Sequence, residues 1–332
     1  MLAEDAQDDA AGRHSHRTTP PEPGRRTPRS RRDRLDTLLR NSPLQPLFRL
    51  TAARRLAVLA YHGVDDPQSL AAQLERLIRT AHVVSLDEVE RAVGEGRPLP
   101  PRSVLVTFDD GDRTLLTEGL PLLTRHRIPA VAFVVARLID GDQPFWWSEA
   151  AFLAARGGTA AALAGCPPSG VVRRLKTLPD ADRRRSLEQL RASAVQQAPR
   201  HPQLTRAELL VLRDAGVQIG NHSLTHACLD HCDEATVRSE VAGAHELLAE
   251  LLGAGPTAFA YPNGNADPTA ERVLRELGYR LGFLFDHRQA PLLPPAPLSI
   301  SRLRVNSTTT RHRFDTILSG LHPAVHRLRG GS

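Results

Sequence analysis

The chain reads as an α/β protein built on a parallel sheet, and three observations lead there. Short apolar runs alternate with helix-period stretches along most of the sequence. The runs are continuously apolar, as strands buried on both faces are. Clusters of polar residues fall just after the runs, at the strand ends where such folds build their sites. A length of 332 residues leaves room for one barrel-type domain of about 250 residues with a tail to spare.

Order is expected from Leu56, where Leu56–Tyr61 forms a buried strand ending in His62-Gly63. A helix follows with Leu70, Leu74, Leu77 and Ile78 on one face, then an apolar piece at Val83-Val84. Ser85 and Glu88 fit a capping box that opens the next helix. Ser103–Phe108 is the clearest strand, with Asp109-Asp110-Gly111 at its end. A helix over 113–126 and a strand over 130–135 complete a strand–helix–strand unit. Residues 137–204, rich in Ala and Arg, break the rhythm and read as a mainly helical insertion. Alternation then resumes with a helix over 205–215, a strand ending at Gly220, and Asn221-His222-Ser-Leu-Thr-His226. A helix over 233–252, a strand over 257–261, the turn Pro262-Asn-Gly264, a helix over 268–277 and strands over 280–285 and 299–305 follow.

Charge is uneven. Residues 1–55 hold 12 Arg against 7 Asp and Glu, leaving +5 of the total +6, so the rest is almost neutral. Residues 1–50 are expected to be a disordered Arg/Pro-rich arm, and 311–332 a C-terminal tail. A basic arm beside a neutral domain argues against a nucleic-acid-binding protein and leaves a weak membrane-surface contact through the arm. Three cysteines make no disulfide framework. Cys228 and Cys232 lack the paired spacing of a zinc site. With no apolar stretch after Met1 and none long enough to span a bilayer, the expected location is cytoplasmic.

Two adjacent carboxylates at the end of an apolar strand are costly to bury without a cation or proton. Residues leaving a strand diverge, so one carboxylate can bind a metal while the other faces a substrate. His222 and His226 stand four apart, a spacing that puts both rings on one face of a helical turn. Two imidazoles, one carboxylate and an open position make the ligand set of catalytic zinc, which brings bound water to a pKa of about 7.

Thr107-Phe-Asp-Asp-Gly111, His222-Ser-Leu-Thr-His226 and Tyr261-Pro-Asn-Gly264, in that order, resemble the polysaccharide deacetylase family. This is carbohydrate esterase family four, the NodB-homology domain, and the resemblance spans residues 56–310 without the insertion. It implies a distorted (β/α)7 barrel and a hydrolase that removes N-acetyl groups from an N-acetylhexosamine-containing glycan or glycoconjugate. It assigns Asp109 as general base and Asp110, His222 and His226 as ligands of a divalent metal, Zn2+ first. The backbone N–H of Asn263 is expected to face the oxyanion. A related hydrolase of non-sugar amides and a non-catalytic glycan-binding relative are the competing readings.

The chain departs from the family pattern twice. Where many members have an arginine that pairs with the catalytic aspartate, this chain has Ala260, and Arg302 or Arg304 are the candidate substitutes. The late Leu-x-His motif that supplies the general acid has no clear match, leaving His287 and His322 as candidates. His62 and Tyr261 are expected to serve as substrate-contact or auxiliary residues, His62 from the mouth of the barrel. Phe145-Trp146-Trp147 opens the insertion and is assigned to packing it on the barrel.

Overall fold

The computed structural model describes residues 41–328. The leading strands are β1 (Arg55–Tyr61), β2 (His82–Val83), β3 (Ser103–Phe108), β4 (Ala130–Val134) and β5 (Val217–Asn221). They are followed by β6 (Ala258–Ala260), β7 (Leu281–Phe283), β8 (Ala290–Pro291) and β9 (Leu303–Arg304). They form one sheet in the order β7-β6-β5-β4-β3-β1-β8, with β2 beside β3 and β9 beside β1. Every pairing is parallel except that of β8 with β1.

The sheet curls because its two ends are joined through one segment. Ile300 bridges to Phe283 of β7, and three residues later Leu303 pairs with Leu59 of β1. Strands β1, β3 to β7 and β9 thus run round a distorted (β/α)7 barrel, with residues 300–304 as its seam. Alternate residues along the strands serve different cores. Leu56, Val58, Leu105, Val131, Phe133 and Phe283 fill one cluster. Leu59, Tyr61, Val106 and Phe108 pack with Leu70, Leu74 and Leu77 of the helix Pro67–Thr80 in another.

Local signals explain most helix ends. Ser85 and Glu88 form the expected capping box, and Thr205 and Glu208 form a second. Asp66, Asp233 and Asp267 cap three more helices through their carboxylates. The insertion contains helices Trp146–Ala154, Val171–Leu175 and Asp180–Ser193 around an apolar cluster of their own.

Several expectations are corrected. Of the arm over 1–50, residues 1–40 lie outside the described residues, but Gln45–Ala52 is a helix. The expected tail forms helices Arg311–Leu318 and Leu321–Leu328, because Phe314 and Ile317 belong to the main core. Ile78 is half exposed rather than on the buried face, and the helix over 113–126 opens with a π-turn at Leu115–Gly119. The strand expected over 299–305 shrinks to β9 and the Ile300 bridge, since its residues must close the barrel rather than extend a ladder. No helix among the described residues is long and apolar enough to cross a membrane.

Candidate metal centre and base

The site begins where β3 ends. The backbone N–H of Asp109 still donates to Tyr61 O at 2.8 Å, continuing the ladder to β1. The chain then turns at once, with φ of 69° at Asp110 and 77° at Gly111. Glycine suits the second position twice over, since a Cβ there would also stand 3.2 Å from Val134 Cγ1. This turn is what sends the two adjacent carboxylates to different partners.

Asp109 meets Arg302 from the seam. Arg302 donates from Nη1 to Oδ1 at 2.6 Å and from Nη2 to Oδ2 at 2.8 Å, a bidentate pair. Its Nε donates to Leu284 O at 2.6 Å, Nη1 also reaches Thr107 Oγ1 at 3.2 Å, and the residue is wholly buried. Arg304 takes no part; its Nε and Nη2 donate to Phe285 O. The arginine absent at Ala260 is therefore replaced in space by Arg302.

Asp110 faces the histidines. Its Oδ1 lies 3.4 Å from His222 Nε2 and 3.5 Å from His226 Nε2. That oxygen is buried with no hydrogen-bond partner, which is costly unless something else occupies the space between the three groups. One ligand atom from each residue lies within 4.8 Å of the others, and all three residues are buried. Among the described residues this is the one such group. His222 Nδ1 donates to Ala260 O at 2.8 Å, which leaves Nε2 turned toward Asp110. The donor set fits a divalent ion of the zinc type.

The charges suit that arrangement. Burial alone would raise the Asp110 carboxyl, but the neighbouring His222 and His62 hold it well below the usual carboxylate range. Burial pushes His226 well down, helped by the charge of His222, so it stays the neutral imidazole that can ligate a cation. Burial opposes charge on His222 too, yet the neighbouring Asp110 and Asp109 outweigh it and raise its pKa.

The two histidines do not sit on a helical turn. They lie on an irregular loop with φ of 65° at Ser223 and 58° at His226. Polar side chains hold that loop. Asn221 Oδ1 accepts from Ser223 N–H at 2.7 Å, and Ser223 Oγ accepts from His226 N–H at 3.0 Å. Glu240, buried on the helix Glu234–Leu252, accepts from Thr225 N–H at 2.8 Å and Thr225 Oγ1 at 2.6 Å. The insertion adds a wall. Trp147 lies 4.4 Å from the His226 ring, and Trp146 Nε1 donates to His226 O at 3.0 Å.

Other expected residues fall into place unevenly. His62 is half buried, sets its ring edge-on to Phe285 at 5.3 Å, and its charge is felt at Asp110 and His226. Asn263 has φ of 58°, and its Nδ2 donates to Cys228 Sγ at 2.8 Å. Gly264 follows because a Cβ there would strike Phe285. Tyr261 is not brought to the site; it packs with Phe259, Ala270 and Val273, its hydroxyl buried without a partner. His287 and His322 pair with each other, Nε2 to Nδ1, at 2.9 Å. Sequence reasoning passed over Asn221, Ser223, Thr225 and Glu240; the polar run 221–226 was a signal, while Glu240 had none beyond its type.

These features define a barrel-type α/β protein with a candidate metal-binding centre at its strand ends. The model of the polysaccharide deacetylase family matches residues 96–282, and the chain belongs to that family. IcaB from Ammonifex degensii is similar in structure, with TM-score 0.57, 20% identity, and cover of 80% of this chain and 96% of that one. A deacetylase from Streptococcus pyogenes, PplD in complex with acetate, gives TM-score 0.55 and 17% identity over 80% and 98%. A de-N-acetylase from Aggregatibacter actinomycetemcomitans gives 0.55 and 16% over 79% and 99%. At these identities the likeness is one of fold.

Proposed function

We propose that the chain is a metal-dependent hydrolase that removes N-acetyl groups from an N-acetylhexosamine-containing glycan or glycoconjugate. The observation that carries this reading is the division of labour at the end of β3. One carboxylate faces two imidazoles across a gap, and the next is clamped by an arginine. Family membership and neighbours named as deacetylases support the acetyl group as the target.

Asp110, His222 and His226 would hold the ion, which when bound polarises the amide carbonyl and makes water available as hydroxide near pH 7. Asp109 takes the proton from the attacking water. Arg302 engages both its oxygens but leaves each a lone pair, so the clamp sets the carboxylate plane without blocking its use as a base. The Asn263 N–H, carried on the turn after β6, would face the developing oxyanion. The wall of Trp146 and Trp147 keeps water from one side of His226.

The test is acetate release from N-acetylglucosamine oligomers by zinc-loaded, chelator-treated and Asp109→Asn protein. Loaded protein should release acetate, and chelation should abolish it. Asp109→Asn should lose activity while binding zinc one-to-one by elemental analysis. Normal turnover by that variant removes Asp109 as base; activity that survives chelation removes the metal.

A further inference from the structure

Two imidazoles face Asp110, and the protein holds them in different ways. His222 is fixed by the barrel: its Nδ1 donates to Ala260 O at the end of β6, which sets both tautomer and ring plane. The other nitrogen of a metal-binding histidine is ordinarily tied down in this way. His226 has no such tether. Its Nδ1 is buried without a hydrogen-bond partner among the described residues. Its backbone adds a second burden, a left-handed φ of 58° that a non-glycine residue keeps only when its surroundings impose it. Something else must therefore hold this residue.

The insertion meets His226 at both points. Trp147 packs on the ring, with centroids 4.4 Å apart and planes at 51°. Trp146 Nε1 donates to His226 O at 3.0 Å, while the N–H of His226 is held by Ser223 Oγ within the loop. The tryptophans are braced in turn from inside the insertion. Phe145 stacks on Trp147 at 4.9 Å and 11°, and Trp147 sets its edge to Trp146 at 5.6 Å. Arg183, on the helix Asp180–Ser193, sits over the Trp146 ring at 4.7 Å. Its Nε donates to Asp180 Oδ1 at 3.1 Å, and both residues are buried. The line Asp180, Arg183, Trp146, His226 thus joins the core of the insertion to one side of the metal centre.

We propose that the insertion is the support of one metal ligand: through Trp146 and Trp147 it holds His226 ready for the cation, so that docking of the insertion and filling of the metal centre strengthen each other. The proposal rests on the metal reading above. Trp146 and Trp147 are positioning residues that act through His226, one on its backbone and one on its ring. Linkage makes the effect mutual, since whatever factor a docked insertion adds to metal affinity, a bound metal adds to docking. His222, tied to β6 by its own bond, stands outside this coupling.

The experiment uses the full chain and zinc alone. Zinc affinity is read by chelator competition, and backbone hydrogen exchange is followed in the helices Trp146–Ala154 and Asp180–Ser193 with and without zinc. Trp146→Phe keeps a ring beneath Arg183 but removes the N–H, and Trp147→Leu keeps apolar volume but removes the ring. Each should weaken zinc binding about 10- to 100-fold. In the wild type, zinc should slow exchange in both helices, a reading that needs no variant to fold; in Trp146→Phe the slowing should shrink. Exchange in the insertion that is the same with and without zinc overturns the proposal. So do variants that melt earlier yet bind zinc as the wild type does, since the tryptophans would then be packing residues only. A wild type that binds no zinc defeats the metal reading and this proposal with it. Tight binding that neither substitution alters defeats this proposal alone and leaves the deacetylase reading standing.

Discussion

Two corners of one strand end are built on opposite plans. At the Asp109 corner every polar contact is met: Arg302 arrives from the barrel seam and engages both carboxylate oxygens, a backbone carbonyl and a threonine hydroxyl. At the Asp110 corner polar side chains hold the backbone of the loop, yet the central oxygen and His226 Nδ1 have no partner and two nitrogens stop short of that oxygen. A satisfied buried charge is being held in place, whereas an unsatisfied one between two imidazoles is placed to share a cation with them. The difference separates the base from the metal ligands, although the two residues are adjacent and identical in type.

The largest effect should come from breaking the satisfied corner. Arg302→Met leaves the Asp109 carboxylate buried without a partner and should cost about 3–5 kcal/mol in urea unfolding. Adding Asp109→Leu should recover much of that. A cost under about 1 kcal/mol, the scale of an exposed pair, would show that the clamp does not bear on stability.

A smaller effect separates scaffold from ligand at the other corner. Glu240→Ala removes the acceptor of Thr225 N–H and Oγ1 and should cost about 1–3 kcal/mol. By loosening the histidine loop it should also weaken zinc binding about 10- to 100-fold, as loss of supporting contacts does. Unaltered zinc affinity by calorimetry would mean that the loop needs no such brace.

A pH-dependent effect lies outside both corners and tests whether the late histidines are structural. His287 is neutral when folded, with a pKa near 2, against about 6.5 when exposed. Between those values the unfolded chain binds the extra proton, so stability should fall as the pH falls. The slope should reach about 1.4 kcal/mol per pH unit at most. His287→Gln should flatten that slope below pH 6, read by thermal unfolding across a pH series. An unchanged slope would assign acid sensitivity elsewhere.

Much of the fold was legible from local pattern. The run Ser103–Phe108 became β3 with the bounds its composition indicates, and the capping box at Ser85 and Glu88 formed as written. Legibility ended where pairing replaced periodicity. The stretch 299–305 looks like an ordinary strand, but its use as a seam shortens it. The spacing of His222 and His226 matches a helical turn, yet positive φ at Ser223 and His226 brings the rings together on a loop. Residues 311–328 read as a tail, yet packing on the barrel makes Phe314 and Ile317 core residues.

By itself the sequence determined the α/β alternation, the place of the polar clusters at strand ends, and the types of residue that could hold a metal. Those are properties of neighbours along the chain. The tertiary structure decided which of two arginines meets Asp109, that Tyr261 serves the core, and that two tryptophans of a distant insertion wall His226. Closure of the barrel and docking of the insertion set these, because both depend on residues far apart in sequence meeting across a surface that no local pattern encodes.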